Sequence, residues 1–538
     1  MYYTNTWPRK LHLNIEGVYP CSRAFCMVRV LNIIESLSLG GAARTVFGTA
    51  KYSSNGGLFE HSIVSLAPHK DDAAAHVLAT ASGMIIEHPD NHSALLKLIA
   101  EHDIVLLQWW NSPEMDNFVR TALPPCRLAA WIHVGGHHDP QSVPPTLMHM
   151  LDFTIAGSPY TLESPAFASL APDVRAAKTA MVYDATDFAR LEGVRRVPHD
   201  GFNIGYIGTV DFSKMHPNFI QMSAAVRIPD ARFVVCGPGG DQATLKAQAA
   251  QIGRVGDFDV RGMVHDIGAV LSILDAYGYP LCEDNYAAAE LNLQEVMFCG
   301  IPPVVFPYGG VKHLVMNDFT GYVVHSEREY AQALEHLYKS PEDRERIGRN
   351  AQEYACQIFG AEHAARRLNP VLDCIMRLEK RPHSPPTELG SIPATSISSG
   401  AQRFLDSLGN SRDLFLDTLE PSGAQALFHA DNRIVHASAL MKRSGIRSYR
   451  SFYTSDPFLC FWSGLAKFGD GQLVDALVEF SEALKLRFPH WRAWWYAAVL
   501  AQRLGQVDLA RQSLAQVRAL APEFREAKEL QDKLGNAA

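Results

Sequence analysis

The chain lacks any apolar run approaching the roughly 18 residues that cross a bilayer as a helix. Its first 26 residues also lack the apolar core of a secretory signal. No CxxC pair occurs among its nine cysteines, Cys21, Cys26, Cys126, Cys236, Cys282, Cys299, Cys356, Cys374 and Cys460. That pattern argues against a bound zinc and a disulfide framework and suits a reducing cytosol. Nor is there an excess of basic residues: the net charge is −8, which gives no general footprint for nucleic acid. A cytoplasmic protein without a metal centre or a nucleic-acid partner is the expectation.

What is present is a long globular chain. Its 538 residues, 47% apolar and 20% charged, exceed a single hydrophobic core and call for several domains. From Val28 onward, short apolar runs alternate with amphipathic stretches: VRVLNII, HSIVSLA, IVLLQWW, LAAWIHV and FTIAGS. A second set follows, with FNIGYIG, ARFVVCG, PPVVFP and TGYVVH. Such alternation predicts parallel β-α-β construction with helices on both faces. The fold class is therefore α/β, two Rossmann-like halves, with a polar seam over residues 184–201. Residues 1–26 read as a disordered extension before a functional start at Met27. The first half is placed at 27–190, the second at 191–380, and a Pro-, Ser- and Gly-rich linker at 381–400.

Residues 401–538 form an all-α region with self-similarity at an offset of 34: Gly471 matches Gly505, Ala476 matches Ala510, and Phe480 matches Leu514. The spacing resembles the tetratricopeptide repeat. Two repeats are read at 457–490 and 491–525, then a capping helix ending near Leu534. A degenerate hairpin within 401–456 is expected to pack on them, since two repeats bury little surface. Trp491, Trp494 and Trp495, at helical spacing, read as core.

Several motifs carry chemistry. Gly40-Gly41 separates the first strand from a helix and would let a phosphate or sugar approach the backbone; a plain tight turn is the alternative. His133 ends LAAWIHV and precedes Gly135-Gly136-His137-His138-Asp139, either a site element or a surface turn. A metal reading of these histidines is disfavoured, since a glycine-broken loop offers no fixed face. Gly208 ends FNIGYIG, with Thr209 beside it and Lys214 six residues on; a solvated loop lysine is the bland alternative. Glu295 precedes Cys299-Gly300, Pro302-Pro303 and the strand Val304-Val305-Phe306, with a helix expected from about Ala288. Glu290 stands five residues before Glu295, serving either a ligand or the helix N-terminus. Gly310 closes the turn that follows.

These motifs resemble the retaining family 4 glycosyltransferases of GT-B fold. The resemblance implies a nucleotide-diphosphate sugar held by the second half and an acceptor hydroxyl by the first, with no metal and no cofactor. It implies catalytic roles for His133, lining the reaction centre, and Lys214, steadying the diphosphate. Donor contacts fall to Gly208, Thr209, Glu290, Glu295 and Gly310, and the acceptor or phosphate loop to Gly40 and Gly41. The sequence departs from the family's pattern at Ala43, Thr209 and Ala287, where the family has a glutamate, an arginine and the first of two paired glutamates. An inactive scaffold acting through its repeats is therefore the rival reading. The helical tail is expected to bind a protein partner or protein acceptor, and a peripheral contact at the inner face of a membrane stays open.

Overall fold

The structure, a computed structural model, describes residues 27–385, 397–409, 411–419, 423–437 and 445–535. The extension before Met27 and residues 386–396 of the linker lie outside the described residues.

The first half is a seven-stranded parallel sheet. Its strands are β1 (Val28–Ile34), β2 (Phe59–Ser65), β3 (Ile85–Ile86), β4 (Ile104–Trp109), β6 (Leu128–Ile132), β7 (Phe153–Ala156) and β8 (Thr179–Met181), in the order β3-β2-β1-β4-β6-β7-β8. Strand β5 (Leu123–Cys126) stands outside this sheet. The apolar runs become central strands because both faces are covered: every residue of β4 and β6 is buried. The second half is a six-stranded parallel sheet of β9 (Phe202–Ile207), β10 (Ala231–Cys236), β11 (Phe258–Gly262), β12 (Ala276–Tyr279), β13 (Pro303–Val305) and β14 (Tyr322–Val323), ordered β11-β10-β9-β12-β13-β14.

Both sheets therefore reverse their winding once, between β1 and β4 in the first and between β9 and β12 in the second. Loops leaving the C-terminal ends of strands on either side of such a reversal diverge and open a crevice, where ligands of open α/β sheets sit.

Two boundaries differ from the sequence reading. The helix Ala361–Met376, counted there with the second half, packs Ala364, Leu368, Val371, Leu372 and Ile375 onto Val30, Ile104 and Trp131 of the first sheet. Its amphipathic stripe reads the same from sequence whichever sheet it covers. The stretch assigned to the linker opens with β15 (Arg381–His383), antiparallel to β5. His383 and Arg381 both contact Asp152, His383 at 3.3 Å, so polar residues assigned to a linker are tied to the first half.

The C-terminal region is helical. The helices Pro457–Gly469 and Leu473–Lys485 form one antiparallel hairpin, Arg492–Arg503 and Val507–Leu520 the next, and Arg525–Gly535 follows. Gly471 and Gly505 occupy equivalent turns with φ of 73° and 74°, a left-handed conformation that side chains resist. Helices within 399–452 share one apolar core with these hairpins. Trp491 and Trp495 are buried against Phe524, and Trp494 is half-buried at the same core. Arg492, 2% exposed, reaches the buried carboxylate of Asp431 and donates to the Thr418 carbonyl at 2.7 Å.

Candidate functional site

The C-terminal edges of the two sheets face each other. The Gly135 amide donates to the Tyr286 carbonyl at 2.8 Å, Val134 forms a bridge with Ala287, and Gln294 donates through Nε2 to the Asp184 carbonyl at 2.8 Å. A side chain built on Gly41 would meet Leu291 at 3.6 Å. The loop and helix that begin at Gly40-Gly41 thus stand opposite the start of the helix Leu291–Phe298.

That helix begins three residues later than the sequence suggested. Asn285 accepts from the Ala287 amide at 3.1 Å, Ala287 bridges to Val134, and the chain then bends at Ala288 and Ala289. Glu290 becomes the residue before the first turn, with φ of 37°, a strained value outside glycine. Its side chain makes no capping bond. Instead it turns to the reversal point between β9 and β12, where the Tyr279 hydroxyl donates to Oε2 at 2.5 Å and Lys214 Nζ lies 3.0 Å away. The pair is deeply placed, with side-chain exposures of 12% for Lys214 and 1% for Glu290. Glu290 Oε1 is buried with no hydrogen-bond partner. Lys214 also lies over the rings of Tyr279 and Tyr286, so it is a half-buried, paired cation and no solvated loop lysine.

Gly208 lies directly beneath: a side chain there would approach the Tyr279 hydroxyl at 3.1 Å. Thr209 is buried, and its carbonyl accepts from the Tyr206 hydroxyl at 3.0 Å. Gly310 passes so close to the Ala288 carbonyl that an added Cβ would stand 1.5 Å from its oxygen. Only glycine permits this crossing, which braces the bend leading into Glu290.

Glu295 points elsewhere. It is paired with Arg190, which arrives from the turn Phe188–Leu191. Arg44, from the first half, lies near both: burial and the neighbouring Arg190 lower its pKa, while Glu295 opposes the shift. The structure thus separates Glu290 and Glu295, joining the first to Lys214 and the second to Arg190, with Arg44 in their electrostatic neighbourhood. Arg190, Arg44 and Tyr279 had no role in the sequence reading. The available signal was position, since Arg190 follows β8 at the edge where the sheets meet.

His133 is held on both sides. Nδ1 lies 2.8 Å from Asp184 Oδ1 and Nε2 lies 2.7 Å from Gln108 Oε1. Asn32 donates Nδ2 to the Ser62 carbonyl at 2.9 Å and accepts Gln108 Nε2 at 2.8 Å, which turns Gln108 Oε1 toward the imidazole. Nε2 of His133 therefore carries a proton. Burial pushes the Asp184 carboxyl up, against the charge of the ring beside it. With both nitrogens engaged and its side chain 1% exposed, His133 presents no free nitrogen to the cleft. His137 stacks on Tyr160 at 4.0 Å and bonds its carbonyl. Among the described residues, no group of three or more His, Cys, Asp or Glu could hold a metal ion.

A cavity of about 570 Å³ opens elsewhere, lined by Asn203, Arg232 and Asp259 near the starts of β9, β10 and β11. It lies at the edge away from Lys214 and Glu290.

Residues 188–354 match the family model of glycosyl transferases group 1, so the part of the chain that carries Lys214, Glu290 and Glu295 is a glycosyltransferase group 1 domain. Among curated proteins, the chain is similar to a putative glycosyltransferase, YtcC, of Bacillus subtilis (strain 168). The two are 26% identical over 122 residues, covering 22% of this chain and 28% of the relative. Among solved structures, Anabaena Alr3699/HepE in complex with UDP superposes with a TM-score of 0.52 and 18% identity, covering 64% of this chain and all of the other. A glycosyltransferase from Rickettsia africae gives 0.52 and 14%, covering 65% and 99%. These likenesses show the fold, a GT-B-like pair of Rossmann-like halves. Among the described residues no helix is long and apolar enough to cross a membrane.

Proposed function

We propose that the chain is a retaining glycosyltransferase of family 4 type, moving a sugar from a nucleoside-diphosphate donor to an acceptor hydroxyl. The observation that carries the reading is Lys214, a half-buried cation at the reversal point of the second sheet, paired with Glu290 at the start of the helix Leu291–Phe298. A departing diphosphate gains negative charge, and a fixed ammonium with helix amides offsets it without reorganisation. Glu295, set by Arg190 and Arg44, accepts the ribose hydroxyls. The orphan Oε1 of Glu290 accepts a donor-sugar hydroxyl, in place of the glutamate that the family carries where Ala287 stands. The bond from C1 to the diphosphate oxygen breaks as the acceptor oxygen bonds C1 on the same face, and the acceptor proton passes to the departing phosphate. His133 acts as a positioning residue through Asp184 and Gln108. Neither a metal nor a further cofactor is part of the scheme.

The helical region, read as tetratricopeptide-like, serves acceptor or partner binding. What supports this is its docking beside the cleft: Asp139 accepts from the amides of Gly409 and Ser411 at 3.0 Å, and Ser407 accepts from Asn111 at 3.1 Å. One observation favours the scaffold reading. Lys214 is already neutralised by Glu290, leaving less charge for a diphosphate. Calorimetric titration of UDP, GDP and ADP separates the two. The transferase reading expects one of them to bind, with at least about tenfold loss in Lys214→Ala. Wild-type protein that binds none of them supports the scaffold.

A further inference from the structure

The first sheet has a reversal point of its own, and the residues gathered there belong to none of the motifs above. Glu35 directly follows β1, Glu114 lies five residues beyond the end of β4, and Lys70 lies five beyond the end of β2. Three loops thus converge on the crevice that the order β2-β1-β4 creates, on the edge facing the second sheet. Lys70 Nζ is 2.6 Å from Glu114 Oε1 and 3.7 Å from Glu35 Oε1.

One ammonium therefore serves two carboxyl groups and leaves acceptor capacity over. Glu114 is 6% exposed, and its Oε2 is buried without any hydrogen-bond partner. A buried carboxylate oxygen left bare is costly unless something completes it. Burial, then the neighbouring Glu114, pushes the Glu35 carboxyl up to about 7, with Lys70 opposing. The helix Pro113–Val119, which bears Glu114, is also where the helical tail docks: Asp116 of that helix pairs with Arg120 at 3.0 Å, and Arg120 lies 3.9 Å from Asp406.

We infer that Glu35, Lys70 and Glu114 form a binding site for a hydroxyl-bearing saccharide that carries no negative charge, the acceptor side of the proposed reaction. This rests on the transferase reading for its role, and on the bare Oε2 and the convergent loops for its place. The ligand must bring O–H or N–H donors to the carboxyl groups. A phosphate or carboxylate would meet two acids and a lysine already engaged, so an anionic acceptor is disfavoured.

The test uses the full chain and saturation-transfer NMR with three probes, methyl α-glucoside, glucosamine and glucose 6-phosphate, each with and without UDP. The neutral or the cationic sugar should bind and glucose 6-phosphate should not. Glu114→Gln, which keeps the shape and removes an acceptor oxygen, should weaken the bound sugar about tenfold. Glu35→Gln, at the more exposed member, repeats the measurement should Glu114→Gln fail to fold. Equal binding by wild type and both variants, binding of glucose 6-phosphate as well as the neutral sugar, or UDP binding with no sugar bound, overturns the inference. Sugar binding without UDP binding supports it and counts against the donor reading alone.

Discussion

Replacing Lys214 by Met tests the central pair most directly. The variant keeps length and apolar bulk but leaves the Glu290 carboxylate, 1% exposed, with only the Tyr279 hydroxyl as partner. Removing one member of a buried ion pair costs about 3–5 kcal/mol, most of it the stranded charge. The bond from Tyr279 places this case near about 3 kcal/mol. Glu290→Gln strands a lysine that is 12% exposed and can turn toward water, so its cost is about 1–2 kcal/mol. Carrying both changes removes both charges, and the double variant should regain at least about 1 kcal/mol over the sum. Tryptophan fluorescence mixes this region with the rest of the chain: Trp110 packs edge-on against Tyr286 at 5.6 Å, but no tryptophan lies within residues 188–354. Peptide-resolved amide exchange over residues 202–215 and 286–300 reads the local opening free energy instead. Additivity of the two single changes to within about 0.5 kcal/mol would refute the coupling.

Gly310→Ala sets a methyl group against the Ala288 carbonyl; relieving the overlap should cost about 1–3 kcal/mol and weaken UDP binding by displacing Glu290, checked by melting and titration. Burial alone would depress His383, but its contacts with Asp152 and Cys126 together raise it to about 10 from 6.5. A raised pKa stabilises below the unfolded value, so this contribution is whole below 6.5 and fades as pH rises toward about 10. His383→Gln should therefore lower stability most below pH 6.5, by about 3 kcal/mol, with the gap to wild type closing by pH 10. Burial pushes the Asp431 carboxyl to about 7 from 3.8, against Arg492. The stability linked to its raised pKa is present below 3.8 and lost as pH rises through about 7. Asp431→Asn should flatten that decline in calorimetric scans of the full chain; an unchanged slope would contradict the assignment.

The strands were legible because each long apolar run matches one buried strand: VRVLNII is β1 in full, and FNIGYI is β9 in full. The short edge strands Ile85–Ile86 and Thr179–Met181 escaped, since two or three residues carry no period. The site was legible by residue type and not by partner. Lys214, Glu290 and Glu295 could be named from their spacing to strands and glycines, but Glu290 lies 76 residues beyond Lys214 and Glu295 lies 105 beyond Arg190. Such pairings depend on which strands become neighbours. His133 shows the same limit, because its two partners come from β4 and from the segment after β8.

By itself the sequence determined the alternation of strands and helices, the repeated helical hairpins with Gly471 and Gly505 at their turns, and the acidic and basic residues near the strand ends. These are local properties, set by hydrophobic period and by which residues tolerate a left-handed turn. Only the tertiary structure decided that Glu290 would face Lys214 while Glu295 faced Arg190, that the helix at 361–376 would return to the first sheet, and that Glu35, Lys70 and Glu114 would meet. Those outcomes follow from strand order and from one backbone crossing at Gly310, long-range geometry that no single segment carries.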